Sequence, residues 1–186
     1  MDIGDAAGKA YRRIKDLKLY YFLIPVLAGL AATSAPRFTL VGVFMFVVVA
    51  AALAANFYEF SGLGVELATF ATVSTALMFE PAVSAALAFV YIVIQMFAGG
   101  NTGIYIFWVI PSYVAAGFII SVLEPSSLVQ AGSISAAVLQ SIFVVFTAIF
   151  SRGYVGIFVR FVALNIIFNI VLFAAFGPLV SSYVGL

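Results

Sequence analysis

Apolar stretches separated by short polar turns give the chain its pattern. Six are well defined, at about residues 38–58, 65–78, 81–97, 104–123, 129–150 and 155–180. A further stretch, Leu19–Ser34, is shorter, has Pro25 near its middle, and would either cross the bilayer or lie at its surface or as a re-entrant segment. Because a helix needs about 20 apolar residues to span a bilayer, we predict an all-α, polytopic membrane helical bundle with six or seven transmembrane helices.

Two of the stretches, 65–78 and 81–97, are close to the lower length limit for a span. They are joined by Phe79-Glu80-Pro81, and proline suits the first turn of a helix because its missing N–H is not needed there. We expect these two helices to be tilted little or to be shielded by their neighbours. The last stretch is expected to end at Gly177-Pro178.

The composition supports a membrane protein and gives it an orientation. Hydrophobic residues make up 66% of the 186 residues and charged residues 8%, whereas about a quarter of a soluble domain is charged. Because Lys and Arg are enriched on the cytoplasmic side, we expect a multi-pass protein of the cell (plasma) membrane with a cytoplasmic N-terminus. Five of the eight basic residues precede the first apolar stretch: Lys9, Arg12, Arg13, Lys15 and Lys18.

The chain divides into a polar lead and one membrane domain. Residues 1–17 form a cytoplasmic basic lead, which is either a short amphipathic helix or a flank that only sets topology. Residues 18–186 form the membrane domain, with an extra N-terminal hydrophobic segment at 18–35 and a six-helix core at 38–180. Six-span and seven-span arrangements place the same number of basic residues on the cytoplasmic side, so the enrichment of Lys and Arg on that side does not choose between them.

The lack of cysteine and histidine removes several kinds of chemistry. It leaves no disulfide, no thiol nucleophile and few ligands for haem, iron–sulfur or zinc sites. The sequence also contains no P-loop motif and no nucleophile–base pair. We therefore expect no enzyme activity, no cofactor, no metal site and no nucleic-acid partner. Membrane lipid is the expected surroundings.

Two glutamates lie at the starts of the short central segments. An ionisable group within a span is costly and usually faces protein or water, so Glu66 is a candidate substrate-binding residue that could line a cavity. It could equally be a helix N-terminal carboxylate stabilised by the helix dipole. Glu80 precedes Pro81 at a helix start, where a capping role is favoured.

Other polar side chains interrupt the apolar segments. Asn165 and Asn169 are four residues apart and share one helix face, so we expect both to point inward, either to bind a ligand or to bond across helices. Gln95 and Asn101 lie near the loop between the stretches 81–97 and 104–123. Trp108 is either an interfacial anchor or a stacking platform. All of these residues are candidate substrate-binding residues.

Small residues recur at four-residue spacing near the end of the stretch 38–58. They form pairs on one helix face and allow another helix to approach closely, because packing replaces the hydrophobic effect as the attraction between helices in lipid. This face predicts either contact with a partner helix or ordinary packing within the chain. The residues are Ala50, Ala51, Ala54 and Ala55.

The order of these features resembles the substrate-binding S component of energy-coupling factor (ECF) vitamin transporters. The resemblance covers residues 38–180. An alanine-rich helix is followed by the turn Gly62-Leu63-Gly64, a short helix, the turn Phe79-Glu80-Pro81 and the loop Gly99-Gly100-Asn101-Thr102-Gly103 before an aromatic segment. Glu80 stands where the family often has glycine, and the N-terminal histidines of metal-importing relatives are missing.

The resemblance implies a six-helix core with a vitamin pocket near the outer surface. It also implies that the alanine face contacts a transmembrane coupling subunit, with energy supplied by a separate ATPase pair. A transport subunit for a small, vitamin-like solute is therefore the leading hypothesis. The alternative is a non-transporting structural or accessory subunit of a larger membrane complex. Proton or ion translocation is a third possibility and would require a connected relay, which Glu66 alone does not provide.

Overall fold

A computed structural model describes residues 36–57, 66–100 and 103–185, and the regular elements in these ranges are all helical. The basic lead, the segment 18–35 and Asn101 lie outside the described residues. The elements in chain order are α1 (Pro36–Phe57), α2 (Ala68–Ala76), α3 (Pro81–Ala98), α4 (Ile106–Leu123), α5 (Leu128–Phe150), a 3₁₀ turn (Arg152–Tyr154) and α6 (Val155–Val184). The chain divides into two compact units, Met1–Phe46 and Val47–Leu186, and the elements from α2 onward belong to the second.

Five of the helices are long and apolar enough to cross a membrane. In each, only 22–33% of the apolar window is buried within the protein, so most of every span presents side chains outward. Large apolar residues such as Phe107 and Leu123 are 79% and 70% exposed, which is stable in lipid and costly in water. The predicted fold class is therefore confirmed: the chain is an all-α, multi-pass membrane protein.

The predicted segment 65–78 forms a half-length helix. α2 has nine residues, about 13 Å at 1.5 Å per residue, and so cannot cross a bilayer of about 30 Å. All nine residues are buried, including Thr69, Thr72, Ser74 and Thr75. Helix α2 packs against α3, α4, α5 and α6, and the expected shielding by neighbours is confirmed. Because it is enclosed by protein, this helix tolerates a polar sequence that lipid would disfavour.

Close backbone contacts hold the long helices together. α3 packs extensively against α4, and α5 against α6. Gly117 of α4 lies so near α3 that a Cβ there would be 2.8 Å from the Ser84 carbonyl oxygen. Small residues permit this approach, from which dispersion and packing stabilise helices in lipid. At the C-terminus, α6 continues through Pro178 to Val184, so the prediction that Gly177-Pro178 ends the helix is wrong.

The connections define two ends of the second unit. The Ala98 end is where α3 and α5 finish and α4 begins, and the Phe79 end is where α4 finishes. The Ser121 hydroxyl, near the last turn of α4, donates to Phe79 O over 2.6 Å, which places the turn after α2 at the Phe79 end. Asn56 Nδ2 donates to Ala98 O over 3.3 Å, which places the end of α1 beside that of α3.

Candidate functional site

Glu66 sits just before α2 and anchors that helix to α4. Its Oε1 atom accepts hydrogen bonds from the Thr69 backbone N–H and the Thr69 hydroxyl, both at 3.1 Å. The Tyr113 hydroxyl donates to the same oxygen and lies 2.6 Å from Thr69 Oγ1. Glu66, Thr69 and Tyr113 are all buried, so these bonds form where water does not compete for them.

The other carboxylate oxygen connects α2 to α6 and α5. Asn165 Nδ2 donates to Glu66 Oε2 over 3.0 Å. Asn165 Oδ1 in turn accepts from Gln140 Nε2 at 2.8 Å and from Asn169 Nδ2 at 2.9 Å. Asn165, Asn169 and Gln140 have no exposed surface. We call the residues Glu66, Thr69, Tyr113, Gln140, Asn165 and Asn169 the Glu66 cluster.

The Glu66 cluster lies at the level of the middle of the spans. Tyr113 and Gln140 are near the centres of α4 and α5, whereas the far end of α2 reaches the Phe79 end. The N-terminus of α2 therefore points into the middle of the bundle, and its partial positive charge favours an anion there. The anion at this position is the Glu66 carboxylate itself, which accepts from the Thr69 backbone N–H in the first turn of α2.

Glu66 has no counter-charge within the described part of the chain. Its hydrogen-bond donors are an amide N–H, two hydroxyls and a carboxamide, all neutral. Taking an ion from water into a protein interior is expensive unless it is paired or fully hydrogen-bonded. The cluster thus meets the demand of the carboxylate through hydrogen bonds alone.

A second polar set lies at the Ala98 end. Gln95 is near the end of α3, Trp108 near the start of α4 and Thr147 near the end of α5. Three buried polar atoms here have no hydrogen-bond partner among the described residues: Gln95 Oε1, Trp108 Nε1 and Thr147 Oγ1. Buried polar atoms normally find partners, so each of these three atoms is a candidate position for a ligand or an ordered water molecule.

Aromatic rings accompany this second set. The Trp108 ring is stacked on Phe146 and Phe150 of α5, at centroid distances of 6.2 and 5.7 Å and interplanar angles of 14° and 19°. Trp108 is only 7% exposed, so its ring packs within the protein. These rings pack against one another beside the orphaned Trp108 N–H.

The predicted site residues fall into two groups. Glu66, Asn165 and Asn169 come together in the Glu66 cluster, with both asparagines inward as their spacing predicts. Gln95 and Trp108 belong to the set at the Ala98 end. The Glu66 carboxylate accepts from the first turn of α2, as the helix N-terminal interpretation predicts, and it also bonds side chains of α4 and α6.

Sequence reasoning missed three members of the cluster. Gln140 carried a usable signal, because a carboxamide in the middle of an apolar span must find a partner, as the asparagines do. Thr69 and Tyr113 carried none, since their types are common in membrane helices and only the fold brings them to Glu66. Glu80 occupies the N-cap position of α3 but makes no side-chain capping bond, so the favoured capping role is wrong.

Glu80 lines a cleft at the Phe79 end together with Glu124 and Ser121. The cleft has a volume of about 470 Å³ and is formed by residues of the turns that follow α2 and α4. Glu124 adopts a left-handed backbone conformation, with φ of 42°. Both carboxylates are exposed, so water can solvate them and they do not require a ligand.

The predicted alanine face divides into outer and inner residues. Ala50 and Ala54 are exposed, Ala51 is half-buried and Ala55 is buried. The exposed pair is available for contact with another helix, whereas Ala55 already packs within the chain. Only the outer pair therefore suits the predicted partner contact.

The fold and site define a multi-pass membrane protein with a polar centre. The chain matches no model of a known protein family, and neither curated proteins nor solved structures show a significant match to it.

Proposed function

We propose that the chain is the membrane-embedded, substrate-binding subunit of a transporter for a small, vitamin-like organic solute, similar to an ECF S component. The observation that supports this proposal is the group of buried polar atoms at the Ala98 end that have no hydrogen-bond partner within the described residues: Gln95 Oε1, Trp108 Nε1 and Thr147 Oγ1.

The proposed pocket lies at the Ala98 end. Its walls are the rings of Trp108, Phe146 and Phe150, which would bury the apolar part of a flat solute. The Trp108 N–H would donate to a solute acceptor, and Gln95 Oε1 would accept from a solute donor. Such a division between apolar walls and a few polar groups fixes orientation and gives specificity.

Transport would require partners and an orientation. A transmembrane coupling subunit would contact the outer alanine pair Ala50 and Ala54, and a separate ATPase pair would supply energy. The Ala98 end would face outward across the cell membrane, so that the pocket opens to the solute.

One observation favours the structural alternative. Glu66 already accepts four hydrogen bonds, close to the capacity of a carboxylate, so it joins helices whether or not a solute binds. An accessory subunit held in shape by this cluster would have the same centre. The two functions differ at the Ala98 end, where only a binding subunit needs the orphaned Trp108 N–H.

The test is mass spectrometry of small molecules released from the full chain purified in mild detergent. Wild type should retain a defined solute, and Trp108→Phe should retain at least about tenfold less, the equivalent of one lost hydrogen bond at a well-formed site. Phe107→Leu is the matched control, because Phe107 neighbours Trp108 but is 79% exposed. Equal retention by wild type and Trp108→Phe, or no retained solute and no copurifying ATPase, would favour the accessory subunit.

A further inference from the structure

Two hydroxyls between α2 and α3 are buried without a hydrogen-bond partner among the described residues, those of Thr72 and Tyr91. Neither residue has any exposed surface. The Tyr91 hydroxyl lies beside that of Thr75, one turn along α2 from Thr72, but the two do not meet hydrogen-bond geometry. A buried hydroxyl without a partner has lost its bonds to water and gained none in return, so both hydroxyls are a cost to the folded chain.

These hydroxyls continue into the polar set at the Ala98 end. Gln95 follows Tyr91 by one turn of α3, and both side chains are buried. Helices α3 and α4 run antiparallel, with Gly117 against the segment 84–88. Gln95 lies nine residues beyond the middle of that segment and Trp108 nine residues before Gly117. The two side chains are therefore level with each other on facing helices.

Thr147 joins this set from α5. Trp108 stacks on Phe146 and Phe150, and Thr147 belongs to the same turn of α5, with its side chain buried. Five polar atoms that lack partners within the described residues thus come from four helices that pack on one another, between the middle of the bundle and the Ala98 end. We call their residues the polar seam: Thr72, Tyr91, Gln95, Trp108 and Thr147.

Every side chain of the polar seam is uncharged. The charged residues described near the Ala98 end, Arg152 and Arg160, are exposed. Burying an unpaired ion costs far more than burying a neutral polar group, so the seam disfavours a charged solute. The Trp108 N–H can only donate, Gln95 Oε1 can only accept, and the three hydroxyls can do either. A neutral solute that carries both donors and acceptors would match all five atoms.

We infer that the polar seam is the solute site, that it extends inward from Trp108 to Tyr91 and Thr72, and that its solute is an uncharged molecule with donors and acceptors along its length, such as a cyclic amide or ureide. This inference rests on the proposed function and adds a substrate class and two binding residues to it. The five atoms are closed to water in the structure, so the solute enters as the surrounding helices separate. Binding then supplies the partners that the empty chain lacks.

Thermal unfolding of the full chain in detergent, without added solute, tests the state of the inner hydroxyls. Thr72→Val and Tyr91→Phe each remove only a hydroxyl that lacks a partner, so both should melt at or above the temperature of wild type. Thr69→Val is the matched contrast one turn away on α2, because the Thr69 hydroxyl is bonded to Glu66, and it should melt lower. Lower melting temperatures for Thr72→Val and Tyr91→Phe would mean that their hydroxyls stabilise the fold, which would overturn the inference.

Retention of small molecules tests binding by the same variants. The small-molecule extract of the expression host is passed over the immobilised full chain, and retained compounds are identified by mass spectrometry and tested for charge by electrophoresis at pH 7. Wild type should retain an uncharged compound, and Tyr91→Phe and Thr72→Val should each retain at least about tenfold less of it. Tyr183→Phe is the control, because Tyr183 is 53% exposed, and it should retain as much as wild type.

The outcomes separate this inference from the proposed function. Reduced retention by Tyr91→Phe and Thr72→Val, without a lower melting temperature, supports the inference. Equal retention by wild type and both variants, or a retained compound that is charged at pH 7, would overturn the inference and leave the proposed binding function in place. If wild type retains no compound, the proposed function fails and the inference fails with it.

Discussion

Glu66 and Asn165 lie 99 positions apart in the chain and are joined by one hydrogen bond of 3.0 Å in the interior of the bundle. This bond connects the half-length helix α2 to the longest helix, α6. Because α2 is too short to span the bilayer, its position depends on such contacts with its neighbours rather than on lipid. The Glu66 cluster is consequently the structural centre of the second unit as well as its candidate site.

Tyr113→Phe should weaken the anchor between α2 and α4. The change removes the hydroxyl that bonds Glu66 and contacts Thr69, while the ring keeps its stacking on Phe143. A hydrogen bond to a charged or strongly polar buried group contributes about 1–2 kcal/mol, which corresponds to roughly 3–6 °C in melting temperature for a chain of this size. Thermal unfolding in detergent measures the shift.

The matched control for that measurement is Tyr183→Phe. Tyr183 is 53% exposed near the end of α6, so removing its hydroxyl should leave the melting temperature unchanged. If both tyrosine variants have the melting temperature of wild type, the Tyr113 hydroxyl has no stabilising role in the cluster.

Much of the fold follows from local pattern, and the site does not. The stretch 81–97 agrees with α3 to within one residue at each end, because a proline starts the helix and glycine follows it. The stretch 65–78 reads as an apolar segment, yet only Ala68–Ala76 is helical, since its boundaries are set by packing against four other helices. Composition alone does not reveal such packing.

The candidate site shows the same limit. Individual polar residues in spans are visible as exceptions, which is how Glu66 and Asn165 could be selected. Which of them meet depends on contacts between residues far apart in sequence, and no periodicity encodes those. The sequence did not single out Tyr113, because tyrosine is common both at lipid-facing and at buried positions.

Gly117→Ala should destabilise the contact between α3 and α4. The new Cβ would lie 2.8 Å from the Ser84 carbonyl oxygen and 2.9 Å from Ala88 Cβ, and the backbone atom cannot move aside without separating the helices. Overpacking of this kind costs about 1–3 kcal/mol. Thermal unfolding measures it, with Gly153→Ala as the control because a Cβ at Gly153 meets nothing within 4 Å. Equal melting temperatures for the two variants would mean that the close approach is not maintained.

Tryptophan at the alanine face should separate folding from assembly. Ala54 is exposed and Ala55 is buried, although the two are adjacent on α1. Ala54→Trp should therefore leave the melting temperature of the isolated chain unchanged but block a partner helix that needs close approach. Ala55→Trp should destabilise the chain itself, because a large ring cannot fit a packed interior without strain. Copurification with a coupling subunit, measured beside thermal unfolding, distinguishes the two effects. If Ala54→Trp assembles and transports as wild type does, the outer pair Ala50 and Ala54 is not the partner surface, and the proposed transporter assembly loses the contact on which it depends.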